Sequence, residues 1–318
     1  MLTRRADVAR ALARAGAGGI SGETLARELG ISRVAVGKHV TALRELGFGI
    51  TAARGTGYAL EHAPDTCIPE TVAPLLADPL WVACEGGPET GSTNDDAKRL
   101  ARGGAPEGTL VLAARQTGGR GRFGRVWVSP AGGVYVSVVL RPALPPAALG
   151  PLGLALAVGV ARGLDTFGVP VGLKWPNDVL ADGRKLAGIL IEMAAEADRT
   201  EWVVAGLGLN VAAPAYEGAG CVREWAPDAG VAGVTARVLD ATAVAYREFL
   251  AGGFAPLAGE YRDRGTLWGH DVVVRDGTGA VAAQGTALSV DDAGALVIAG
   301  ATGERTIVSG EVTLQGAR

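Results

Sequence analysis

The chain opens with helical spacing of apolar residues and closes with the spacing of short strands. From Arg4 to Ala15 apolar positions recur every three or four residues, which predicts one amphipathic helix. SGETLARELG (21–30) starts at Ser21, whose hydroxyl suits an N-cap, and stops at Gly30, a residue free to end a helix. ISRVAVGKHVTALRELG predicts a second helix from about Ser32 to Leu46, with Val36, Val40 and Leu43 facing inward. Two helices joined by a glycine-containing turn make a helix-turn-helix. FGITAARGTGYAL after them predicts two short strands around a glycine turn, a wing. Gly37, inside the second helix, is a local misfit of about 1 kcal/mol against alanine.

EHAPDTCIPE (61–70) reads as a linker. From about Pro69 to Arg264 strands and helices alternate: TLVLAARQ, GGVYVSVVL, VGLKW, LAGILIEMA and EWVVAGLGLNV read as strands, and the stretch from Thr235 to Arg264 as helix. This predicts a mixed-sheet domain. The twenty uncharged residues from Pro142 to Ala161 are long enough to suggest a membrane span. Pro142, Pro145, Pro146 and Pro151 confine a regular helix to the part after Pro151, better suited to a buried core. The tail changes again: DVVVRD, AVAAQGTALSV, ALVIAG and RTIVSGEVTL are strands separated by DGTG, DDAG and ATGE, which predicts a small closed β barrel. The expected class is α+β, divided at 1–62, 63–264 and 265–318, and the chain contains no internal repeat.

Composition and charge sharpen this outline. Apolar residues make up 48 % and charged residues 20 %, a globular balance. The net charge of −3 is uneven: residues 1–60 carry nine Lys or Arg against four Asp or Glu, giving +5, and the remainder is −8. A basic head on an acidic body points to a polyanion partner for the head, with Arg33, Lys38 and His39 of the second helix as candidate DNA contacts. Cys67, Cys84 and Cys221 are odd in number and far apart, which indicates neither a disulfide framework nor a zinc site. His39, His62 and His270 lie in separate segments, and nothing suggests a Ser-His-Asp triad. No secretory signal is apparent at the start, so the cytoplasm is expected, with no membrane partner.

The chemistry concentrates in QTGGRGRFGRVWVSP (116–130). Gly119, Gly121 and Gly124 satisfy G-x-G-x-x-G, but strand rather than helix follows. No acid lies between Glu107 and Asp165 to hold a ribose, so a dinucleotide fold is excluded. What remains is a pliable backbone carrying Arg120, Arg122 and Arg125. Its N–H groups and guanidinium forks suit an anion, and it is expected to order when filled. Two further stretches stand out: STN (92–94) and KWPNDVLADGRKLAGILIE (174–192). Taken singly, Ser92 reads as a helix N-cap, and Asp178 with Lys185 as a surface pair in a turn.

Together STN, QTGGRGRFGRVWVSP, KWPND, GRKLAGILIE, GLGLNV and the closing SGEVTL, in this order, resemble the biotin protein ligases of the bifunctional type that also repress the biotin operon. The resemblance implies a winged helix-turn-helix, a class II synthetase-like catalytic domain and an SH3-like C-terminal barrel. It implies that Ser92, Thr93, Asn94 and Gln116 hold the biotin head, and that Arg120, Gly121 and Arg122 lie along the ligand. Lys185 would meet the biotin carboxylate and the bridging phosphate. Arg122, Arg125, Trp127, Asn177 and Asn210 would surround the adenylate, and Asp178 the magnesium region, with Arg122, Lys185 and Asp178 as the catalytic set. The implied substrates are biotin and ATP with Mg²⁺. The implied partners are a biotin carboxyl carrier domain, operator DNA through residues 1–62, and a second copy of the chain when biotinyl-AMP is bound. A ligand-sensing repressor with little ligase activity and a lipoate ligase relative are the alternatives. Gly133, where some members carry Asn, and the single glycine of SGEV depart from the common pattern.

Overall fold

Helix caps begin the fold where the hydroxyls predicted them. In the computed structural model, which describes residues 4–53, 57–301 and 303–315, α1 (Arg4–Ala15) is followed by α2 (Gly22–Leu29) and α3 (Arg33–Glu45). The Ser21 hydroxyl accepts from the Thr24 N–H (3.0 Å) and the Ser32 hydroxyl from the Ala35 N–H (3.1 Å). Each satisfies a donor that the first helical turn leaves free. Gly30 ends α2 in the left-handed region. Val8, Leu12, Leu25, Val36, Val40, Leu43, Phe48 and Ile50 bury a small core of their own. Strands β1 (Gly49–Ala53) and β2 (Gly57–His62) pair antiparallel as the wing; its predicted glycine turn, 54–56, lies outside the described residues.

The expected linker is only half a linker. Residues 67–73 are buried, and α4 (Pro69–Val72) forms within them. The reason is apolar: Cys67, Ile68 and Val72 join the central core. α4 also receives the head. Arg5 Nε donates to Glu70 Oε1 at 2.6 Å, and Arg10 Nη2 to the Ala73 carbonyl at 2.8 Å.

The central sheet comprises β3 (Ala83–Thr90), β4 (Thr109–Gln116), β5 (Gly133–Leu140), β6 (Val171–Lys174), β7 (Asp178–Ala181), β8 (Arg184–Glu196) and β9 (Arg199–Asn210), in the order β3-β4-β5-β9-β8-β7-β6. Only β3 and β4 run parallel. Every residue of β5 is buried, as its apolar run, interrupted only by Ser137, requires. α5 (Thr93–Arg102) packs on one face with Ala97, Ala101, Val111, Val139, Trp202 and Val204. α6 (Leu152–Asp165) and α7 (Val231–Gly252) belong to the larger core, followed by α8 (Ala255–Asp263). α6 begins after Pro151, as predicted. Its glycines are there for closeness: a Cβ at Gly159 would fall 2.6 Å from Thr242 Cα, and one at Gly163 2.6 Å from Val238 Cα. The stretch Pro146–Asp165 has the length and apolarity of a span, and 67 % of it is buried against the rest of the chain.

The pattern gave no hint of β3, because ACEGGPET carries turn residues. Gly86 is nevertheless a strand requirement: with φ 115°, a Cβ there would meet the Leu112 carbonyl oxygen of β4 at 1.9 Å. Pro88 is tolerated because β3 is an edge strand.

The tail forms β10 (Asp271–Arg275), β11 (Val281–Val290), β12 (Leu296–Gly300), β13 (Gly303–Ile307) and β14 (Glu311–Leu314), an antiparallel sheet in the order β13-β12-β11-β10-β14. Val272, Val274, Leu296 and Ile298 join the same apolar cluster as the central domain. Trp175 Nε1 donates to the Gly294 carbonyl at 3.1 Å, so the module is fastened beside KWPND.

Candidate functional site

A cavity of about 630 Å³ opens where α5, the 116–129 segment, the β6–β7 turn, β8, β9 and β14 meet. Ser92, Thr93, Asn94, Gln116, Arg120, Gly121, Arg122, Arg125, Trp127, Asn177, Asp178 and Lys185 all line it. Residues nearly a hundred positions apart in sequence are thus brought to one wall. Asn210 is not in that lining. It sits at the end of β9, buried, with Nδ2 donating to the Gly220 carbonyl at 3.0 Å and Oδ1 without a partner among the described residues.

One end of the cavity is a rigid polar lattice. Gln116 Oε1 accepts from the Thr93 N–H (2.8 Å) and the Thr93 hydroxyl (3.0 Å), while Gln116 Nε2 donates to Ser129 Oγ (3.0 Å). Buried Ser137 lies 2.8 Å from Thr93 Oγ1 and donates to Asn94 Oδ1. Asn94 Nδ2 donates to Glu192 at 2.7 Å, and Lys98 neutralises that carboxylate at 2.6 Å. Gly206 makes room for Asn94: a Cβ there would lie 2.1 Å from Asn94 Oδ1. Such cross-bonded polar groups present donors and acceptors at set positions without rearrangement.

The arginine-rich segment is a ribbon folded over this end. Gly121 N–H donates to the Arg125 carbonyl (2.8 Å), Trp127 N–H to Gly119 (3.0 Å) and Gln116 N–H to Ser129 (3.2 Å). Gly119 is required where the ribbon narrows, since a Cβ there would lie 2.4 Å from the Trp127 carbonyl oxygen. No helix follows the ribbon, consistent with rejecting a dinucleotide fingerprint; β5 follows. Trp127 and the Ser129 hydroxyl anchor the returning end. The indole lies on β9, where a Cβ at Gly208 would fall 2.4 Å from Trp127 Nε1, which explains the second glycine of GLGLN. Arg120 forks onto Asp95 in the first turn of α5 (2.8 Å for one of its two bonds). That guanidinium holds the Asp95 carboxyl down at about 2.

Cations converge on the middle of the cavity. Lys185 Nζ lies 2.6 Å from Asp178 Oδ1 and 5.3 Å above the Trp127 ring. Arg122 stacks at 5.0 Å on Phe123 and donates from Nη1 to the Gly310 carbonyl at 3.0 Å. Burial pushes the Arg122 guanidinium below its ordinary value, opposed by the carboxylates of Asp178 and Glu311. Arg125 forms an ion pair with Glu311. Asn177 is held from both sides: its Nδ2 donates to the Ile189 carbonyl and its own carbonyl accepts the Ile189 N–H, each at 3.0 Å. A lattice of polar groups, a cluster of cations and a cover in one cavity suits a ligand with a polar head and an anionic tail. Among the described residues no group of three or more His, Cys, Asp or Glu is placed to hold a metal ion unaided.

Three family models match the chain: an HTH domain over residues 4–59, the biotin/lipoate A/B protein ligase family over 86–210, and the biotin protein ligase C-terminal domain over 269–314. The bifunctional ligase/repressor BirA of Bacillus spizizenii is 34 % identical over 323 residues, spanning 98 % of this chain and 99 % of its own. The chain belongs to the biotin protein ligase family, in its bifunctional ligase/repressor branch. Escherichia coli BirA is 38 % identical over 202 residues, covering 60 % of this chain and 59 % of its own. The biotin protein ligase of Aquifex aeolicus, solved in complex with biotin and ATP, superposes with a TM-score of 0.63 at 28 % identity, over 73 % of this chain and 98 % of that one.

Two groups of this ligase escaped the residue-by-residue reading. Glu311, Thr313 and Leu314 bring the C-terminal module into the cavity wall; only the resemblance of SGEVTL signalled them. Lys174 and Phe123 also line it, although each lay inside a stretch already singled out. In the head, Lys38 is exposed on the outer side of α3. Arg33 lies along the flank, where a Cβ at Gly22 would be 3.8 Å from its Cγ. His39 is half-buried; desolvation first, then Arg5 and Arg4 of α1, hold its imidazole below the usual value.

Proposed function

We propose that this chain activates biotin with ATP to biotinyl-5′-AMP and transfers the biotinyl group to a lysine of a biotin carboxyl carrier domain. The observation that carries this reading is the meeting of the Thr93–Gln116–Ser137 lattice with Lys185 and Arg122 in one cavity. The division of labour follows 1–62, 63–264 and 265–318: DNA reading, chemistry, and a wall closing the cavity. In this role the lattice, with Ser92 and Asn94, orients the ring head, and the carboxylate points at Lys185. The carboxylate attacks the α-phosphorus in line, an acyl–phosphate bond forms, and pyrophosphate leaves. Negative charge grows on the phosphoryl oxygens, and Arg122 and Lys185 of the cavity wall stabilise it. Asn210, the expected adenine contact, lies behind the cavity wall, and its Oδ1, a buried acceptor without a partner among the described residues, would meet an adenine amine only if that wall opened.

Magnesium fits as a guest of the nucleotide. Mg²⁺ is commonly held by one or two carboxylates plus substrate phosphates, and Asp178 supplies one carboxylate in the cavity wall. When bound, the ion neutralises phosphate charge. The mixed anhydride is prone to hydrolysis, and the 116–129 ribbon keeps water from it. In the second step the acceptor amine attacks the acyl carbon, AMP leaves with the bonding pair, and the amine loses a proton.

The bifunctional branch brings a second role: held adenylate favours a cytoplasmic dimer, whose two basic heads bind a two-fold operator and repress biotin synthesis genes. The test of the first role is intact-mass analysis of a carboxylase biotin domain incubated with the chain, biotin and MgATP. The expected result is one biotinyl addition, abolished without ATP; no addition at any enzyme concentration overturns it. Parallel incubation with lipoate in place of biotin checks the ligand class.

A further inference from the structure

The outer stripe of α3 adds a residue to the expected Arg33 and Lys38, both of which are exposed. Facing away from Val36, Val40 and Leu43, the exposed side chains are Val34, Lys38, Thr41 and, at the far end, Glu45, at i, i+4, i+7 and i+11. Val34 is 71 % exposed, in the first turn of a helix whose N-terminus Ser32 caps. Arg33, on the flank, is also exposed and passes Gly22 at the start of α2, while His39 is half-buried. The first turn of a second helix-turn-helix helix is the part that reaches base edges. There, of the four bases, only thymine offers a methyl group in the major groove, while guanine offers the acceptor pair N7 and O6. A valine with both methyls free matches the first, and a lysine one turn later matches the second. At about 1.5 Å per residue, Val34 and Lys38 stand about 6 Å apart along the axis, which is about two base steps at about 3.4 Å each.

We propose that Val34 reads the 5-methyl group of a thymine and that Lys38 reads a guanine within about two base pairs of it in each half-site. The inference rests on the DNA-binding reading above and adds which side chains choose the sequence. The stripe is otherwise an ordinary solvated face, and an exposed valine alone needs no explanation; its place in the first turn beside Lys38 gives it one.

The experiment uses the full chain with biotin and MgATP and a random-sequence duplex pool. After selection, each thymine of the recovered half-site is replaced in turn by deoxyuridine, which deletes only the methyl. At one thymine the parent should weaken about fourfold, the worth of one buried methyl. Val34→Ala should bind the thymine duplex about as weakly as the parent binds the uracil one, and be indifferent to the replacement. Lys38→Ala should lose preference for guanine at one nearby position, whereas a phosphate contact would weaken all sequences alike. Thermal melting of both variants confirms the fold. If Val34→Ala keeps the parent's sensitivity to deoxyuridine, the assignment is overturned while DNA binding stands. If no duplex is recovered at all, both fall, and the absence of any binding to bulk DNA marks that case.

Discussion

At the scale of single residues, what a Cβ would meet at a glycine predicts whether it can be replaced. Gly206 and Gly208 lie under Asn94 and Trp127, so any side chain there displaces a wall of the cavity. Gly37 is different: it lies within α3, and no atom stands within 4 Å of where its Cβ would go. Gly37→Ala should therefore raise stability by about 0.5–1 kcal/mol, seen as a higher urea midpoint with an unchanged slope. A fall in the midpoint would show that the position needs glycine. The sequence singled out Gly37 as a misfit, but could not tell vacant space from contact. It placed Arg122, Lys185, Asp178 and Gln116 on the cavity wall. It had no means of showing that Arg120 would turn to Asp95, because that bond joins two elements.

In the proposed function, the 116–129 ribbon is the element on which chemistry depends. Besides the bonds of Gln116, Thr117 and Gly118 at its base, its arginines tie it to the rest of the molecule, Arg120 to Asp95, Arg122 to Gly310 and Arg125 to Glu311, with Trp127 packed on β9. The Asp95 carboxyl, held near 2 chiefly by Arg120, is depressed below its unfolded value of about 4. A depressed carboxylate contributes fully above the unfolded value and is lost only as pH falls through the folded one. The tie is therefore complete from pH 5 to 9. Asp95→Asn should release adenylate about two- to fivefold faster, the worth of an exposed pair, by the same factor across that range. Filtration of labelled adenylate complexes at several pH values measures it; an unchanged rate removes the tie from the account. Elements with a clean period were legible: α1, α3, β5, and α6 after Pro151. β3 was not, because the close approach that its glycine permits is invisible until β4 lies beside it. Nor was α4, whose apolar residues sit among loop-like neighbours.

Across the whole molecule, the head and the tail are both seated on the central domain by specific bonds. Glu70 is fully buried, with Oε1 on Arg5 and Oε2 without a partner among the described residues. Arg5→Ala would leave that carboxylate buried and alone, a loss of about 3 kcal/mol. The expected result is a lower urea midpoint and faster proteolytic cutting within 63–68. An unchanged midpoint would mean that the Arg5–Glu70 bond adds nothing to the seating of the head. On the other side, the C-terminal module contributes Glu311 and the Gly310 carbonyl to the ribbon's closure, so catalytic cover and overall assembly are one structure. In the proposed function this cover traps an acyl phosphate made in the cavity beneath it. This is tested most directly by loading the chain with biotin and α-labelled ATP, removing free nucleotide, and following the bound adenylate with time in the parent and in Arg122→Ala. The parent should retain the intermediate, and Arg122→Ala should lose it at least about tenfold faster, as expected when a stabilising cation is removed. Equal retention in the two proteins would contradict it.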